Sequence, residues 1–514
     1  MAAMTMARAR PPARHRRSAG RGRMSVPLRL VAAGACALTG ACAANPPVES
    51  PGRADGRPDG SGRPQRPNIV LLVADDLGYG DLGSHGSATM RTPRLDRLAG
   101  EGVRFTAAYA AAAVCSPSRA GLITGRYPQR HGHEFNLAGR DADFGLAEEE
   151  RTLGDLMRGA GYATGYVGKW HLGRSPDRHP LSRGFDEFTG VLGGDSGYFD
   201  AVVDRGREAA RLDGYLTDAL TREATGFIGR QAAARRPFFL VLSWTAPHTP
   251  LQATPEDLEA VAHLEDGPGR TYAAMVSSVD RGVGAVLDAL AGHGVDGDTL
   301  VVFTSDNGCV GYLDVGCSNA PFSGFKRFHL EGGIRVPLIM RWPNGLSGGA
   351  VYREPVVSLD FFATFAALAG ASTRGGPPRD GVDLLPYLTG RARGAPHDAL
   401  YWRAGPNRAV RRGRFKLLEI NRADPAAADG GGAPVAPVAP DAEPVPSPHG
   451  RVTLLYDLLS DPAESTNLAG RMPGRVRRLR GRLDRWEASL AEPAWPSDLS
   501  AVRTIDGELV RLFF

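Results

Sequence analysis

Apolar, β-rich runs alternate with amphipathic helical segments along most of this chain, and this alternation limits the folds that it can adopt. Sequences with such a pattern form a mostly parallel sheet with helices on both faces. Strands are predicted at 68–74, 162–167, 238–244 and 300–304, and helices at 94–102, 152–160, 213–234 and 272–291. The predicted fold class is therefore α/β, a large, mixed but mostly parallel sheet sandwiched between helices.

The 514 residues are enough for one large core and a smaller C-terminal unit. We expect a leader at 1–42, a polar tether at 43–66, the large α/β domain at 67–395 and an α+β subdomain at 396–514. In that subdomain an antiparallel sheet, with strands at 415–420 and 452–456, should pack on a helix. The segment 425–449 is rich in Pro, Ala and Gly, so we expect a disordered loop without a core of its own.

Positive charge is concentrated in the leader. The whole chain has a formal net charge of +5, but eight arginines and no acidic residue precede Cys42, so the remainder carries −3. The basic isoelectric point therefore does not indicate a nucleic-acid partner, and we expect none.

The leader has the features of an export signal. Its apolar stretch, 30–41, ends in small residues before Cys42 and is too short to span a bilayer as a helix. The sequence at 38–42 resembles a bacterial lipobox displaced by one residue, so lipid attachment at Cys42 and plain cleavage are both open. Met24 is an alternative start to Met1. We expect an exported protein, periplasmic or extracellular, that contacts a membrane only through a lipid on Cys42.

Side chains that carry oxygen follow two of the predicted strands. Asp75 and Asp76 follow the first strand, and Asp306 and Asn307 follow a later one. Each residue alone is more typical of a turn or a helix cap, but ligands in open α/β sheets bind at the carboxyl ends of strands. Oxygen ligands favour Ca²⁺ or Mg²⁺ over zinc. The four residues are therefore candidate metal ligands.

The segment 115–126, which reads CSPSRAGLITGR, places a cysteine, a helix start and two arginines within twelve residues. Pro117 suits the first helical position and Ser116 the cap, which would put Cys115 beside free backbone N–H groups and the positive end of the helix dipole. Such a site would stabilise an oxyanion, with Arg119 adding positive charge. The alternative is a buried cysteine in an ordinary loop–helix junction.

Two further cysteines, Cys309 and Cys317, are closely spaced beyond the leader. An oxidising compartment would permit a disulfide between them. Two independent thiols are the alternative, because sequence does not define the geometry that a disulfide requires.

Three more short runs contain lysines, histidines and a glutamate. They are GKWHLG at 168–173, APHTP at 246–250, and Lys326 followed by EGGIRVP at 331–337. None is informative alone. Their order after C-x-P-S-R, with D-N-G between the second and the third, resembles the type I, formylglycine-dependent sulfatases of the alkaline phosphatase superfamily. The resemblance extends over 67–467 and closes with a C-terminal strand and turn.

That resemblance implies a function and a cofactor. The function is that of a sulfuric ester hydrolase, arylsulfatase-like, acting on a sulfated carbohydrate or an aryl sulfate. Cys115 would be oxidised after translation to formylglycine, whose hydrate attacks sulfur and forms a covalent sulfate intermediate. Asp75, Asp76, Asp306 and Asn307 would hold Ca²⁺, with Mg²⁺ as the alternative, and the side chain at 115 would also contact the metal.

The resemblance also assigns roles to the remaining charged groups. Arg119, Lys169 and Lys326 would neutralise the sulfate oxygens. His248 would protonate the leaving oxygen, and His171 would deprotonate the remaining hydroxyl so that the aldehyde re-forms. A formylglycine-generating maturation enzyme is the implied protein partner.

The identity of the substrate does not follow from the sequence. The region where many relatives present a polar residue to the sulfate or the sugar reads GGDSGY at 193–198, and Asp195 and Ser196 are both candidates. Two rival functions remain open. One is a phosphonate monoester or phosphodiester hydrolase with the same nucleophile and metal residues, and the other is an exported lipoprotein that binds sulfated glycans without hydrolysing them.

Overall fold

A computed structural model of the chain describes residues 66–373, 376–424, 450–497 and 499–514. The predicted leader, the insertion at 425–449 and all of the predicted tether except Arg66 lie outside the described residues. The domain boundaries proposed from the sequence stay predictions. No helix in the described part of the chain is both long enough and apolar enough to cross a bilayer.

The strands and helices that the sequence predicts are all present. The described strands, in chain order, are β1 (Asn68–Ala74), β2 (Val103–Phe105), β3 (Ala108–Tyr109), β4 (Ala163–Gly168), β5 (Glu187–Gly190), β6 (Val202–Arg205), β7 (Glu208–Arg211), β8 (Phe238–Ser243), β9 (Thr299–Ser305), β10 (Leu338–Arg341), β11 (Ala350–Tyr352), β12 (Val356–Val357), β13 (Leu400–Ala404), β14 (Asn407–Arg412), β15 (Phe415–Asn421), β16 (Arg451–Asp457), β17 (Ser500–Ile505) and β18 (Glu508–Phe513). The described α-helices are α1 (Pro93–Glu101), α2 (Cys115–Thr124), α3 (Leu153–Gly159), α4 (Leu216–Ala233), α5 (Pro255–Ala260), α6 (Pro268–Gly292), α7 (Glu331–Ile334), α8 (Asp360–Ala369), α9 (Leu385–Leu388) and α10 (Pro473–Glu487).

Ten of the described strands form one sheet, in the order β11-β2-β10-β9-β1-β8-β4-β5-β6-β7. The central strands, from β9 to β5, are parallel to one another. Antiparallel pairs flank them on both sides, where β10 pairs with β9 and β6 pairs with β5. The mixed, mostly parallel sheet predicted from the sequence is therefore confirmed.

Strand β1 shows why helices must cover both faces of this sheet. Val70 and Leu72 belong to a core layer with α4 and α6, whereas Ile69, Leu71 and Val73 belong to a second layer with α2, α3 and α8. Successive side chains of a strand point to opposite faces, and here both sets are buried. Because burying each such side chain contributes about 1.5–3 kcal/mol, the strand is stable only between two helical layers.

A second, four-stranded antiparallel sheet, β13 to β16, lies in the C-terminal part of the chain. Helix α10 packs on it through Val476, Leu479, Leu483 and Trp486, which share a core with residues of β15 and β16. The predicted antiparallel sheet on a helix is therefore confirmed. The hairpin of β17 and β18 that follows was not predicted.

A buried charge cluster connects this C-terminal sheet to the loops of the large one. Lys416 Nζ on β15 lies 2.9 Å from Glu331 Oε1 at the start of α7 and 3.0 Å from Glu464 Oε1. Burial raises the pKa of Glu464 to about 7. Burial also opposes ionisation of Glu331, but the positive charges of Lys416 and two arginines outweigh it and lower the pKa of Glu331 to about 2. Breaking a buried ion pair costs about 3–5 kcal/mol, so the cluster anchors α7 and the loop before it.

Cys309 and Cys317 form a disulfide. This resolves the choice between a bridge and two free thiols in favour of the bridge. The closed loop begins two residues after Asn307, so it lies next to a candidate metal ligand.

Candidate active site

Two strand ends meet at the carboxyl edge of the large sheet. The last residues of β1 and β9 are direct partners in the parallel register, so Asp75 and Asp76 lie beside Asp306 and Asn307. The Asp306 N–H donates to the Ala74 carbonyl at 3.2 Å, and the Asp76 N–H donates to Asp306 Oδ1 at 3.2 Å. All four candidate ligands are buried. The register of the sheet thus brings together two pairs that are far apart in sequence.

The oxygen atoms at this edge suit a hard cation. Asn307 Oδ1 is buried and has no hydrogen-bond partner among the described residues. An unsatisfied buried acceptor is unfavourable, and a cation would satisfy it. Ligand atoms of Asp75, Asp76, Cys115 and His248 also lie within 4.8 Å of one another. The residues present therefore fit a divalent cation at the strand ends.

Neighbouring lysines keep two of the aspartates ionised. Burial opposes ionisation of Asp75, but Lys169 and other cations outweigh it and hold the pKa of Asp75 below its usual value. Burial is likewise outweighed at Asp76, where Lys326 is the largest opposing influence on the pKa. The pKa of Asp306 is raised by burial and by the nearby Asp75 charge. A bound divalent cation would favour the ionised form of all three.

The two lysines reach this edge from different parts of the chain. Lys169 follows the last residue of β4 directly, and its Nζ lies 2.6 Å from Asp75 Oδ2. Lys326 lies in the loop before α7, and its Nζ is 2.8 Å from the Asp76 carboxylate. Both lysine side chains are buried. Each ammonium group is thus held by one strand-end aspartate.

The third cation, Arg119, projects from α2. Its Nε and Nη2 atoms lie 3.0 and 2.8 Å from Asp306 Oδ2, and its Nη1 donates to Ser243 Oγ at 2.7 Å and to the Lys169 carbonyl at 2.9 Å. Ser243 was not predicted as a site residue. Ser243 is a polar residue at the end of an apolar strand, and Asp75 directly follows another such strand. This shared placement is the signal that could have identified Ser243.

The charges of this cluster balance. Three aspartates face three cations, so the formal charge of the six side chains is zero. A neutral cluster has little net attraction for an anion, whereas a divalent cation would make it doubly positive. Anion binding at this edge should therefore depend on metal binding.

Cys115 lies within the cluster as the first residue of α2. Its Sγ is 3.7 Å from Asp75 Oδ1 and 4.0 Å from Asp76 Oδ1. Burial raises the pKa of the thiol to about 12, against the influence of both lysines. The thiol is protonated at neutral pH and is therefore a poor nucleophile in its unmodified form.

The start of this helix differs from the prediction. Val114 occupies the cap position, and Ser116 and Pro117 lie inside the first turn. Ser116 is not free to cap the helix, because its hydroxyl lies 2.6 Å from His133 Nε2 and donates to the His171 carbonyl at 2.7 Å. These tertiary partners outweigh the local capping preference. His133 carried no signal in the sequence.

Two histidines approach the cluster from separate loops. The His248 Nδ1 lies 2.6 Å from the Thr249 carbonyl, which can only accept, so Nδ1 carries hydrogen and Nε2 faces the Asp76 carboxylate at 3.6 Å. His171 is buried, and its Nδ1 has no hydrogen-bond partner within the described part of the chain. Burial and the Lys169 charge lower its pKa well below the usual value. His171 is therefore neutral at neutral pH.

The two candidate substrate residues are not brought into the cluster. Asp195 is exposed, and Ser196 Oγ donates to the carbonyl of the adjacent Gly197 at 3.0 Å. The same loop contacts the cluster instead through Gly194, where a Cβ would lie 2.8 Å from His171 Nε2. The loop therefore borders the site, but contact of Asp195 or Ser196 with substrate stays a prediction.

Comparisons with known proteins identify the family of this chain. The sulfatase family model matches residues 67–371. The chain is 37% identical over 383 residues to N-acetylgalactosamine-6-sulfatase of Canis lupus familiaris, covering 69% of this chain and 72% of that protein. It is 34% identical over 443 residues to arylsulfatase A of Bos taurus, covering 78% of this chain and 83% of that protein.

Solved structures extend the likeness to the fold. The crystal structure of Ps i-CgsB in complex with k-i-k-neocarrahexaose has a TM-score of 0.75 and 33% identity, covering 84% of this chain and 95% of that chain. The chain belongs to the sulfatase family of the alkaline phosphatase superfamily, and it is an enzyme that acts on sulfate esters.

Proposed function

We propose that this sulfatase is formylglycine-dependent and removes sulfate from a sulfated carbohydrate, with aryl sulfates as surrogate substrates. The observation that carries the proposal is the convergence on Cys115 of three buried aspartates, three cations and two histidines. Two relatives support a carbohydrate. One is named for a sulfated amino sugar, and the other was solved with k-i-k-neocarrahexaose.

The cofactors follow from the donor atoms. We assign Ca²⁺, with Mg²⁺ as the alternative, to Asp75, Asp76, Asp306 and Asn307, where a bound cation would supply positive charge to the sulfate oxygens. Residue 115, as the hydrate of formylglycine, would supply an oxygen nucleophile. The high pKa of the Cys115 thiol supports this assignment, because the unmodified side chain cannot ionise at neutral pH.

Three cations of the chain would bind and orient the sulfate group. Arg119, Lys169 and Lys326 are fixed by buried ion pairs, so little reorganisation is needed as charge shifts during the reaction. Removing one such preorganised donor typically lowers turnover about 10²–10³-fold.

The two histidines would divide the proton transfers. His248 holds Nε2 towards the site and, when protonated, would donate to the leaving oxygen. His171 is neutral and has an unpaired ring nitrogen, so it would accept the proton when sulfate is released from residue 115. The neutral form of His171 suits the role of proton acceptor, whereas His248 is assigned the donor role from the direction of its Nε2.

We also propose export, with lipid attachment at Cys42 or plain cleavage as the alternatives and a maturation enzyme as partner. The disulfide between Cys309 and Cys317 supports an oxidising compartment, where such bonds persist. Fractionation of cells that express the Cys42→Ala variant would separate lipid attachment from plain cleavage.

The proposed function is tested by mass spectrometry and by parallel assays. Protein made with a maturation enzyme should carry formylglycine at position 115 and should hydrolyse nitrophenyl sulfate and sulfated N-acetylgalactosamine. The Cys115→Ala variant should fold and show no turnover. Preferential hydrolysis of an aryl phosphodiester would favour the phosphonate or phosphodiester alternative. Fully active protein that contains only the thiol would overturn the formylglycine mechanism.

A further inference from the structure

Arg327, the residue after Lys326, lies between two aromatic rings beside the candidate active site. Its guanidinium carbon is 4.2 Å from the centre of the Tyr312 ring and 3.7 Å from that of the Phe514 ring. Aromatic contacts of this kind involve the faces of a guanidinium group and leave the N–H groups on its edge free to donate. Among the described residues no carboxylate pairs with this group and no acceptor bonds to it.

The backbone holds Arg327 next to the nucleophile position. Its N–H donates at 2.8 Å to the carbonyl of Ala113, two residues before Cys115. Its φ is +82°, a left-handed conformation that is uncommon for a residue with a side chain. The Phe514 ring that covers the guanidinium group also shares a small buried cluster with Val114 and Ala501. The position of this arginine is therefore imposed by tertiary contacts next to the candidate active site.

The charge of Arg327 is close to the cluster but is not neutralised by it. Burial lowers the pKa of Arg327, and Arg503 lowers it further, whereas Tyr312, Asp76 and Cys115 raise it. The side chain of Arg327 is half-buried, so its N–H groups are accessible to an anion from solvent. The three cations that would bind the scissile sulfate are already paired with aspartates, so Arg327 is a positive charge beyond that set.

Tyr312 adds a second unpaired donor at the same place. It lies in the loop closed by the Cys309–Cys317 disulfide, and its hydroxyl makes no hydrogen bond within the described residues. The disulfide limits the motion of this loop, so the ring stays over the guanidinium group while the hydroxyl remains available. Two donors of different kinds thus lie next to each other beside the site.

We propose that Arg327 and Tyr312 form an anion-binding subsite that recognises a second anionic group of the substrate. Phe514 supplies the second ring that holds the guanidinium group of Arg327 in place. That group is a second sulfate on the same sugar or a carboxylate on a neighbouring one, since the edge of a guanidinium group matches both. The inference rests on the proposed function and deepens it, because it names the substrate class as multiply anionic glycans.

The test compares substrates with one and two anionic groups. Nitrophenyl sulfate and N-acetylgalactosamine 6-sulfate carry one, N-acetylgalactosamine 4,6-disulfate carries a second sulfate, and a 6-sulfated disaccharide with a uronic acid carries a carboxylate. The quantity measured is the ratio of kcat/KM for a doubly anionic substrate to kcat/KM for a singly anionic one. Arg327→Gln should lower this ratio by about 10–100-fold, as expected for loss of a charge-assisted hydrogen bond. The change should come mainly from a higher KM for the doubly anionic substrate. The arm that shows the loss identifies the second group.

Further variants separate binding from positioning. Tyr312→Phe keeps the ring and should lower the same ratio by less than Arg327→Gln does. Arg327→Lys keeps the positive charge and should retain part of the ratio that Arg327→Gln loses. Arg222→Gln, on the exposed face of α4, is the control and should leave the ratio unchanged. An equal loss of kcat/KM on all substrates would show that Arg327 only positions Lys326. An unchanged ratio for both doubly anionic substrates would show that Arg327 does not bind a second anionic group. Either result overturns the inference.

The two proposals can fail separately. If the wild-type protein hydrolyses none of these sulfate esters, the proposed function fails and the subsite is tested by calorimetry with metal-loaded Cys115→Ala protein. The disulfate should then bind more tightly than the monosulfate, and Arg327→Gln should abolish that difference. Equal affinity for both sugars in the presence of Arg327 would contradict the subsite.

Discussion

Lys326 Nζ lies 2.8 Å from the Asp76 carboxylate, although the two residues are 250 positions apart in the chain. Burial opposes the charged form of this lysine, but Asp76 and Cys115 raise the pKa of Lys326 well above its usual value. Asp76 itself has a left-handed φ of +63°. The pair thus couples the candidate metal site to the cations proposed to bind sulfate, so that a change in one partner should be measurable at the other.

Lys326→Met should weaken catalysis and strengthen metal binding at the same time. Loss of one cation leaves the six-group cluster with a net negative charge, which favours Ca²⁺, while kcat/KM should fall by about 10²–10³-fold. Calorimetry with Ca²⁺ and steady-state kinetics would measure the two effects. Lys326→Arg, which keeps the charge, should retain the wild-type metal affinity. Weaker Ca²⁺ binding in Lys326→Met would contradict the electrostatic coupling.

Asp306→Asn should abolish turnover with a much smaller effect on folding, because it changes a candidate metal ligand at a strand end and leaves the sheet core intact. Chelation of the wild-type protein should have the same effect and should also weaken binding of inorganic sulfate, since the cluster is neutral without a metal. Asp296→Asn is a matched control, since Asp296 precedes the same strand and pairs with Arg341 at 2.7 Å. Full activity after metal removal, verified by elemental analysis, is incompatible with the assigned site.

His248→Ala should affect substrates according to their leaving groups. Nitrophenolate needs little protonation, whereas a sugar alkoxide is a poor leaving group, so the loss should be larger for a sulfated sugar. General acid catalysis typically contributes about 10²–10⁴-fold, which sets the expected loss for the sugar. Parallel kcat measurements on the two substrates are the test. Equal losses would mean that His248 does not protonate the leaving oxygen.

His171→Ala should instead slow the release of sulfate from residue 115. Rapid-quench measurements should show a burst of alcohol followed by a slow steady state. In the wild-type protein the burst should be smaller or absent under the same conditions. If the variant loses activity without any burst, His171 acts before the alcohol leaves and the assigned order is wrong.

His397 should make the stability of the protein depend on pH. Its Nε2 lies 2.8 Å from Asp360 Oδ1; burial opposes the charged form, but Asp360 raises the pKa of His397 above its usual 6.5. A raised pKa means that the stabilisation is fully present below 6.5 and is lost as the pH rises through the higher value. His397→Gln should therefore lower the free energy of unfolding by about 1–3 kcal/mol near pH 5.5 and by much less near pH 9.

Urea unfolding at both pH values is the measurement for this pair. His293→Gln, which changes an exposed histidine at the end of α6, is the control and should show no such difference. A His397→Gln effect that is the same at both pH values would indicate a packing role without a charge contribution.

The sequence predicted best those elements whose pattern of apolar side chains is compatible with only one secondary structure and one kind of burial. β1 is a continuous apolar run, so it could only be a strand covered on both faces, and it is observed at the predicted bounds. β7 is largely exposed and has no apolar pattern, so the sequence carried no signal for it. At the start of α2, Ser116 and Pro117 matched the local preferences of a cap and a first turn, but His133, unrelated in sequence, engages the Ser116 hydroxyl.

Periodicity and side-chain type are local properties, so the sequence by itself determined the α/β class, the strand-end placement of Asp75 and Asp306, and the family. Only the tertiary structure decided which groups meet. Lys326 pairs with Asp76, the Ser196 hydroxyl bonds within its own loop, and Arg327 lies between rings from two distant segments. Such contacts depend on strand order and loop packing, and the ionisation of a buried group depends on all its neighbours at once, which no local pattern contains.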